Sequence, residues 1–230
     1  MRKYKHIFFD LDRTIWDFEA NAREAFQEIY TKHQLYRIFP DFETFHSTYR
    51  KHNAQLWEKF RNGEIKKEDL KYIRFHLTLK EFGKDDLNLS KQLGEDYMNF
   101  SARKTHLFPD SHEVLSYLKD KYHLYIITNG FHEVQLKKIE NSDLKKYFRR
   151  IITSEIAGVQ KPHEDIFRYA LNEANAKKEE AIMVGDDIEG DIKGAKAIGL
   201  DQVFFNPRGI KHYVEPTFEV QSLKELKEIF

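Results

Sequence analysis

From Phe108 onward the chain alternates short apolar runs with stretches of helical spacing, and few folds accommodate that alternation. The runs His123–Thr128, Arg150–Thr153, Ala181–Val184 and Gln202–Phe205 are too short for helices and carry β-branched or aromatic residues at successive positions, as strands buried on both faces do. Between them, Val114/Leu115/Leu118, Val134/Leu136/Ile139, Ile166/Phe167/Ala170/Leu171 and Ile192/Ala195/Ile198 recur as single helix faces, the last stopping at Gly199. A further run, His6–Phe9, stands near the N-terminus. Strand and helix in strict alternation with short connections imply an α/β fold: a Rossmann-like parallel sheet with helices on both faces.

The first run is separated from the others by about ninety residues that keep helical periodicity throughout. Phe18, Ala22, Ala25, Phe26, Ile29 and Tyr30 form one face. Phe42, Phe45, Tyr49, Leu56, Trp57 and Phe60 form a second, with Asp41 as its start and Asn62-Gly63 as its end. Leu70, Ile73, Leu77 and Phe82 suggest a third helix stopping at Gly83, and Leu93, Tyr97 and Phe100 a fourth with Ser90 as N-cap. No strand signal interrupts them. The expected division is a core domain of residues 1–14 and 106–230 with an inserted all-helical domain, residues 15–105. The segment Ser222–Leu226 reads as a surface helix without chemistry.

Two carboxylates, Asp10 and Asp12, end the first strand at i, i+2, so they share a side if the chain stays extended that far. Another cluster ends the run Ala181–Val184: Gly185, Asp186, Asp187 and, just beyond, Asp191. Like charges about 4 Å apart repel by roughly 1 kcal/mol in water and about 4 kcal/mol at an effective dielectric near 20. Converging carboxylates therefore call for a cation. Oxygen-only donors at strand ends suit Mg²⁺, which retains waters and shares its remaining positions with phosphate. In parallel sheets ligands sit beyond the carboxyl ends of the strands, where Asp10, Thr128 and Asp186 all fall.

Composition narrows the partners. Lys+Arg and Asp+Glu both number 38, so no net field attracts polymeric DNA or RNA. The absence of Cys excludes disulfides, thiol catalysis and thiolate metal sites, in keeping with a cytoplasmic setting. The basic start Met1-Arg2-Lys3-Tyr4-Lys5-His6 is followed by an apolar run ending at Phe9, too short for a signal-peptide core or a membrane span. The expectation is a soluble cytoplasmic protein with an intact N-terminus, a monomer or weak dimer, without membrane partners.

Four motifs stand in order: Asp10-Leu11-Asp12-Arg13-Thr14, Thr128-Asn129, Lys161-Pro162, and Gly185-Asp186-Asp187 with Asp191. Together they resemble the four motifs of the haloacid dehalogenase-like hydrolase superfamily, over nearly the whole chain, with residues 15–105 corresponding to the helical cap inserted after the first strand in one large subgroup. The first motif departs from the pattern at Arg13, where that superfamily often has Gly. The resemblance implies that Asp10 is the nucleophile and a metal ligand. It implies that Asp12 is the acid/base and a ligand through its carbonyl, a division of labour that paired carboxylates can sustain when their environments differ. Thr128, Asn129 and Lys161 would hold phosphate, Lys161 also offsetting charge on Asp10; Asp186 would bind Mg²⁺ directly, and Asp187 and Asp191 would orient metal waters or Lys161. Each residue has a plainer use. An Asp-x-Asp after a strand can serve turn chemistry, Thr128 can cap a helix, and Asp187 and Asp191 can face a helix N-terminus. His132, near the second motif, reads as surface or packing.

The segment Asn53–Ile65 and the run Ile126–Phe131 are similar to the matching parts of bacterial noncanonical pyrimidine 5′-nucleotidases. That resemblance implies Mg²⁺-dependent hydrolysis of a small phosphomonoester, a pyrimidine nucleoside monophosphate, through an aspartyl phosphate. Trp57 could stack on a base, although it shares a stripe with Leu56 and Phe60 and spacing favours packing; Asn53 and Arg61 are further contacts to sugar or base. The alternatives are a sugar-phosphate phosphatase or phosphomutase of the same superfamily and, from a different class, a phosphate-ligand binding protein without turnover.

Overall fold

The computed structural model describes residues 4–230, so the basic start Met1-Arg2-Lys3 lies outside the described residues. The chain divides into two compact units, one of residues 1–18 and 105–230, the other of residues 19–104.

In the first unit a six-stranded parallel sheet has the order β3-β2-β1-β4-β5-β6. The strands are β1 (His6–Phe9), β2 (His123–Thr128), β3 (Phe148–Thr153), β4 (Ala181–Gly185), β5 (Asp201–Phe205) and β6 (Phe218–Val220). Phe9 lies level with Ile126 of β2 on one side and Val184 of β4 on the other, so Asp10 leaves the sheet between its two central neighbours. The strand order reverses between β1 and β4, and a crevice opens at such a point because the flanking connections diverge to opposite faces. Alternation within β1 sorts the two cores. Ile7 and Phe9 pack with Leu115, Leu118, Ile126, Ile182 and Val203, whereas Phe8 packs with Tyr125, Ile127, Phe167 and Met183. Both faces are therefore covered, as the near-continuous apolar runs required.

The sheet differs from expectation at its ends. β3 begins two residues earlier, at Phe148, and β6 had no recognisable alternation because only Val220 of its three residues is buried. The C-terminal segment is not a surface helix: Ser222 starts a capping box with Glu225, and Leu223 and Leu226 are buried in the core cluster of Ile7 and Phe9. Ile15 and Trp16 also belong to that cluster, and Trp16 bridges to Leu107.

The second unit carries helices α1 (Phe18–Lys32), α2 (Phe42–Arg61), α3 (Lys67–Glu81) and α4 (Leu87–Ala102). Its interior is aromatic: Phe26 stacks on Tyr97 at 4.6 Å between centroids and lies 4.4 Å from Tyr49. Asp41 caps α2 by accepting from the Thr44 backbone N–H. Two expectations fail here. Asp86, not Ser90, caps α4; Ser90 lies inside the helix and returns its hydroxyl hydrogen to the Asp86 carbonyl at 2.6 Å. On α3 the buried face is Leu70, Arg74, Phe75, Thr78 and Leu79, with Ile73 and Leu77 only half-buried. Arg74 turns inward over the rings of Tyr49, Phe75 and Tyr97, so a charge displaces the apolar stripe by one position. Among the described residues, no helix is long and apolar enough to cross a membrane.

Candidate active site

Asp10 is the first residue beyond β1. Its backbone N–H is still tied to the Val184 carbonyl at 2.9 Å, so its position is set by the sheet. Extension stops there. The Leu11 carbonyl accepts from the N–H groups of Ile15 and Trp16, closing a tight loop, and Asp12 diverges from Asp10 in its partners. Arg13 adopts the left-handed conformation, φ 68°, in the very position where a Gly would be expected. Its guanidinium lies 4.1 Å from the centroid of Phe18. Cation–π attraction of this kind, about 0.5–1 kcal/mol at partly exposed sites, offsets much of the local strain.

Lys161 brings three separate motifs together. Its ammonium donates to Oδ1 of Asp10 at 2.6 Å, to Oδ1 of Asp191 at 2.6 Å and to the Ile127 carbonyl of β2 at 2.9 Å. The side chain is 4% exposed. Asn129 sets the backbone that carries it, because Oδ1 accepts from the Lys161 N–H at 2.8 Å and Nδ2 donates to the Lys161 carbonyl at 2.9 Å. Asn129 is thus a clip on Lys161, whose bond to Pro162 is cis. Asp191 in turn accepts the Asp187 N–H on Oδ2 at 3.1 Å, and Asp186 accepts the Thr14 hydroxyl at 3.2 Å. Asp187 is exposed and accepts the N–H groups of Glu189 and Gly190, the plainer capping role, at the start of the helical turn Ile188–Lys193.

Oxygen atoms of Asp10, Asp186 and Asp191 lie within 4.8 Å of one another. Burial pushes the Asp10 carboxyl well above the usual carboxylate range, Lys161 opposes this only in part, and Asp191 and Asp186 add to the rise. Asp186 is pushed up to about 7, by burial and then by Asp191, against an opposing pull from Arg13. Asp191 is likewise raised by burial, with Lys161 opposing. Burial works against the charge of Lys161, yet Asp10 and Asp191 raise its pKa above the ordinary lysine value. Asp10 and Asp191 therefore share one buried ammonium, and with Asp186 they make a donor set, hard oxygen throughout, that fits a dication of the Mg²⁺ type.

The Thr128 hydroxyl is buried at the end of β2 and accepts from the Gly130 N–H at 3.2 Å and from Gln135 Nε2 at 2.7 Å. Both lone pairs are engaged, which leaves its hydrogen to donate outward. His132, half-buried, lies 3.2 Å through Nδ1 from the Thr153 hydroxyl, a side-chain hydrogen bond. Asp12 meets residues that sequence patterning passed over. Its Oδ1 accepts from Lys138 Nζ at 2.6 Å and its Oδ2 from Gln135 Nε2 at 3.0 Å. Both donors lie on the helix His132–Asn141, where the expected stripe of Val134, Leu136 and Ile139 is only partly realised: Gln135 and Lys138 are buried and Leu136 is 38% exposed. The available signal was that inversion, two polar residues at i, i+3 immediately after the Thr128-Asn129-Gly130 turn.

In the helical unit Asn53 and Trp57 stand on α2, both half-buried. Asn53 Oδ1 accepts from Arg74 Nη1 at 3.0 Å, and Trp57 meets Phe60 edge-to-face at 5.6 Å.

A family model of haloacid dehalogenase-like hydrolases matches residues 4–199. The chain belongs to that family. It is 31% identical to the hydrolase YfnB of Bacillus subtilis over 100% of this chain and 96% of the relative, 32% identical to the pyrimidine 5′-nucleotidase YjjG of Escherichia coli over 99% and 98%, and 28% identical to the pyrimidine 5′-nucleotidase PynA of Streptococcus pneumoniae over 97% and 93%. Phosphatases of sugar phosphates are also among its relatives. A crystal structure of YfnB bound to magnesium superposes with a TM-score of 0.89 at 30% identity, covering 99% of this chain and 98% of that one. The chain is thus an enzyme of the hydrolase class, built on the parallel α/β sheet that its sequence implied.

Proposed function

We propose that this enzyme hydrolyses phosphomonoesters, with Asp10 as nucleophile, and that its substrates are pyrimidine nucleoside monophosphates. The observation that carries the reading is the placement of Asp10: a buried carboxylate at the strand-order reversal, held by Lys161 within a set of carboxylates that fits a dication. An Asp10 oxygen attacks phosphorus and the bond to the ester oxygen breaks, giving an aspartyl phosphate. Asp12 supplies the proton that the departing alkoxide needs, then accepts one from the water that cleaves the acyl phosphate. Thr128 donates its free hydroxyl hydrogen to a phosphate oxygen and Lys161 adds its charge, while Asn129 keeps Lys161 in place. Asp10 and Asp186, with the carbonyl of Asp12, would hold Mg²⁺, and Asp191 would steady the group through Lys161; the ion supplies positive charge to a phosphate dianion.

Near full-length similarity to two pyrimidine 5′-nucleotidases supports the substrate class, and we assign substrate selection to the helical unit, with Trp57 and Asn53 as its candidates. The test is a panel of ribo- and deoxynucleoside monophosphates and sugar phosphates, assayed with Mg²⁺ and with EDTA, for the wild type and Asp10→Asn. Phosphate release is expected to be fastest from a pyrimidine monophosphate, to need Mg²⁺, and to vanish in the variant. Full activity of Asp10→Asn would overturn the mechanism, and preference for a sugar phosphate would overturn the substrate class alone.

A further inference from the structure

We propose that Gln135 and Lys138 are positioning residues for the acid/base Asp12, and that they bind this residue and Thr128 into a single unit. The inference rests on the role of Asp12 given above. Lys138 is 3% exposed, and among the described residues Asp12 is the one carboxylate within ion-pair distance of its ammonium. The same ammonium lies 4.0 Å from the centroid of the fully buried Trp16 and 5.7 Å from that of Phe18. An ammonium walled by two aromatic rings is desolvated, and a partner charge at 2.6 Å is what makes its burial tolerable.

Gln135 is fully buried and divides one nitrogen between two functional oxygens, Asp12 Oδ2 at 3.0 Å and Thr128 Oγ1 at 2.7 Å. Each Asp12 oxygen thus has one fixed donor, so the plane of the carboxylate is set, while each retains a lone-pair direction for the travelling proton. The arrangement carries a cost. Gln135 Oε1 is buried and finds no hydrogen-bond partner among the described residues, and an orphaned buried carbonyl is destabilising. A core residue selected for stability alone would be apolar there.

Gly130 belongs to the same device. A Cβ on Gly130 would fall 2.5 Å from Gln135 Cδ, so the absence of a side chain in the turn admits the Gln135 amide. The residues Thr128, Gly130, Gln135 and Lys138 thus act together: the group that touches phosphate and the group that moves the proton hang on one short helix.

The test separates positioning from folding by leaving group. kcat/KM reports steps through departure of the leaving group, an alkoxide that needs a proton for a nucleoside monophosphate and a stabilised phenolate that does not for p-nitrophenyl phosphate. The ratio of the two values cancels the fraction of correctly folded enzyme, so it remains informative even for a poorly folding variant. Lys138→Met and Gln135→Leu are expected to lose about 30-fold or more on the nucleotide and only a few-fold on the aryl ester, within the 10²–10⁴ that general acid catalysis supplies. Lys138→Arg, which retains the charge and can stack on Trp16, is expected to restore the nucleotide value to within about fivefold. Asp12→Asn is the reference and should change the ratio in the same direction. If it does so while Lys138→Met and Gln135→Leu lower both esters equally, the inference falls and the proposed function stands. If Asp12→Asn leaves the ratio unchanged, the acid role of Asp12 falls and this inference with it.

Discussion

A side-chain carbon on Gly185 would lie 2.2 Å from Oδ2 of Asp191, so the last residue of β4 is glycine because a buried carboxylate occupies the space where its Cβ would be. Asp191 is fully buried and in turn holds Lys161. Gly185→Ala should therefore displace Asp191, and through it Lys161. We expect a loss of about 1–3 kcal/mol in unfolding free energy, the usual range for overpacking, and at least a hundredfold loss in kcat/KM. Urea denaturation and steady-state kinetics on the same preparation check both; a variant with wild-type kinetics would show that the contact does not order the site.

Lys161 carries the sole buried positive charge bonded to both Asp10 and Asp191 among the described residues. Removing it leaves two buried carboxylates unpaired, a loss of about 3–5 kcal/mol for a broken buried pair. Lys161→Met should unfold at markedly lower denaturant in EDTA at pH 8, and saturating Mg²⁺ should restore part of the difference because the ion replaces missing charge. Chemical denaturation with and without the metal measures this.

The pH dependence of stability in the metal-free protein follows from Asp186. Its folded pKa, about 7, lies above the unfolded value, so between the two the folded state binds more protons and stability falls as pH rises. The melting temperature in EDTA is expected to drop by several degrees between pH 5 and pH 8, and saturating Mg²⁺ to flatten that slope by holding the carboxylate ionised. Scanning calorimetry across that window, with and without metal, decides it.

Arg13→Gly sets relief of a left-handed backbone, about 1 kcal/mol, against loss of the cation–π contact with Phe18. The two nearly cancel, and thermal stability should change by less than about 1 kcal/mol. Arg13 also works against the raised pKa of Asp186, so its positive charge competes with any cation bound there. Isothermal titration should show Mg²⁺ binding a few-fold more tightly to Arg13→Gly than to the wild type.

Much of the fold was legible in the chain because strands and helices differ in period. The β2 run, His123–Thr128, coincides with the strand, and the α1 stripe of Ala22, Ala25, Phe26 and Ile29 is buried as its spacing requires. Misreadings cluster where a polar group goes inside. Arg74 on α3, and Gln135 and Lys138 on the helix after β2, occupy positions that periodicity assigns to Ile73, Leu77 or Leu136. A buried polar residue is stable only through partners, and no local pattern contains them. Lys138 finds Asp12 across 126 positions, and Lys161 finds Asp10 across 151.

The sequence by itself determined the parallel sheet, the helical insertion, and the carboxylates and lysine that the four motifs carry. Those features depend on local periodicity and on residue type at strand ends, which chain order preserves. Only the tertiary structure decided how the groups share one another: that Asn129 clips Lys161, that Lys161 divides its ammonium between Asp10 and Asp191, and that Asp12 turns to Gln135 and Lys138. Hydrogen bonds and charges choose partners by distance and burial in space, and those distances exist only once the strands have taken their order in the sheet.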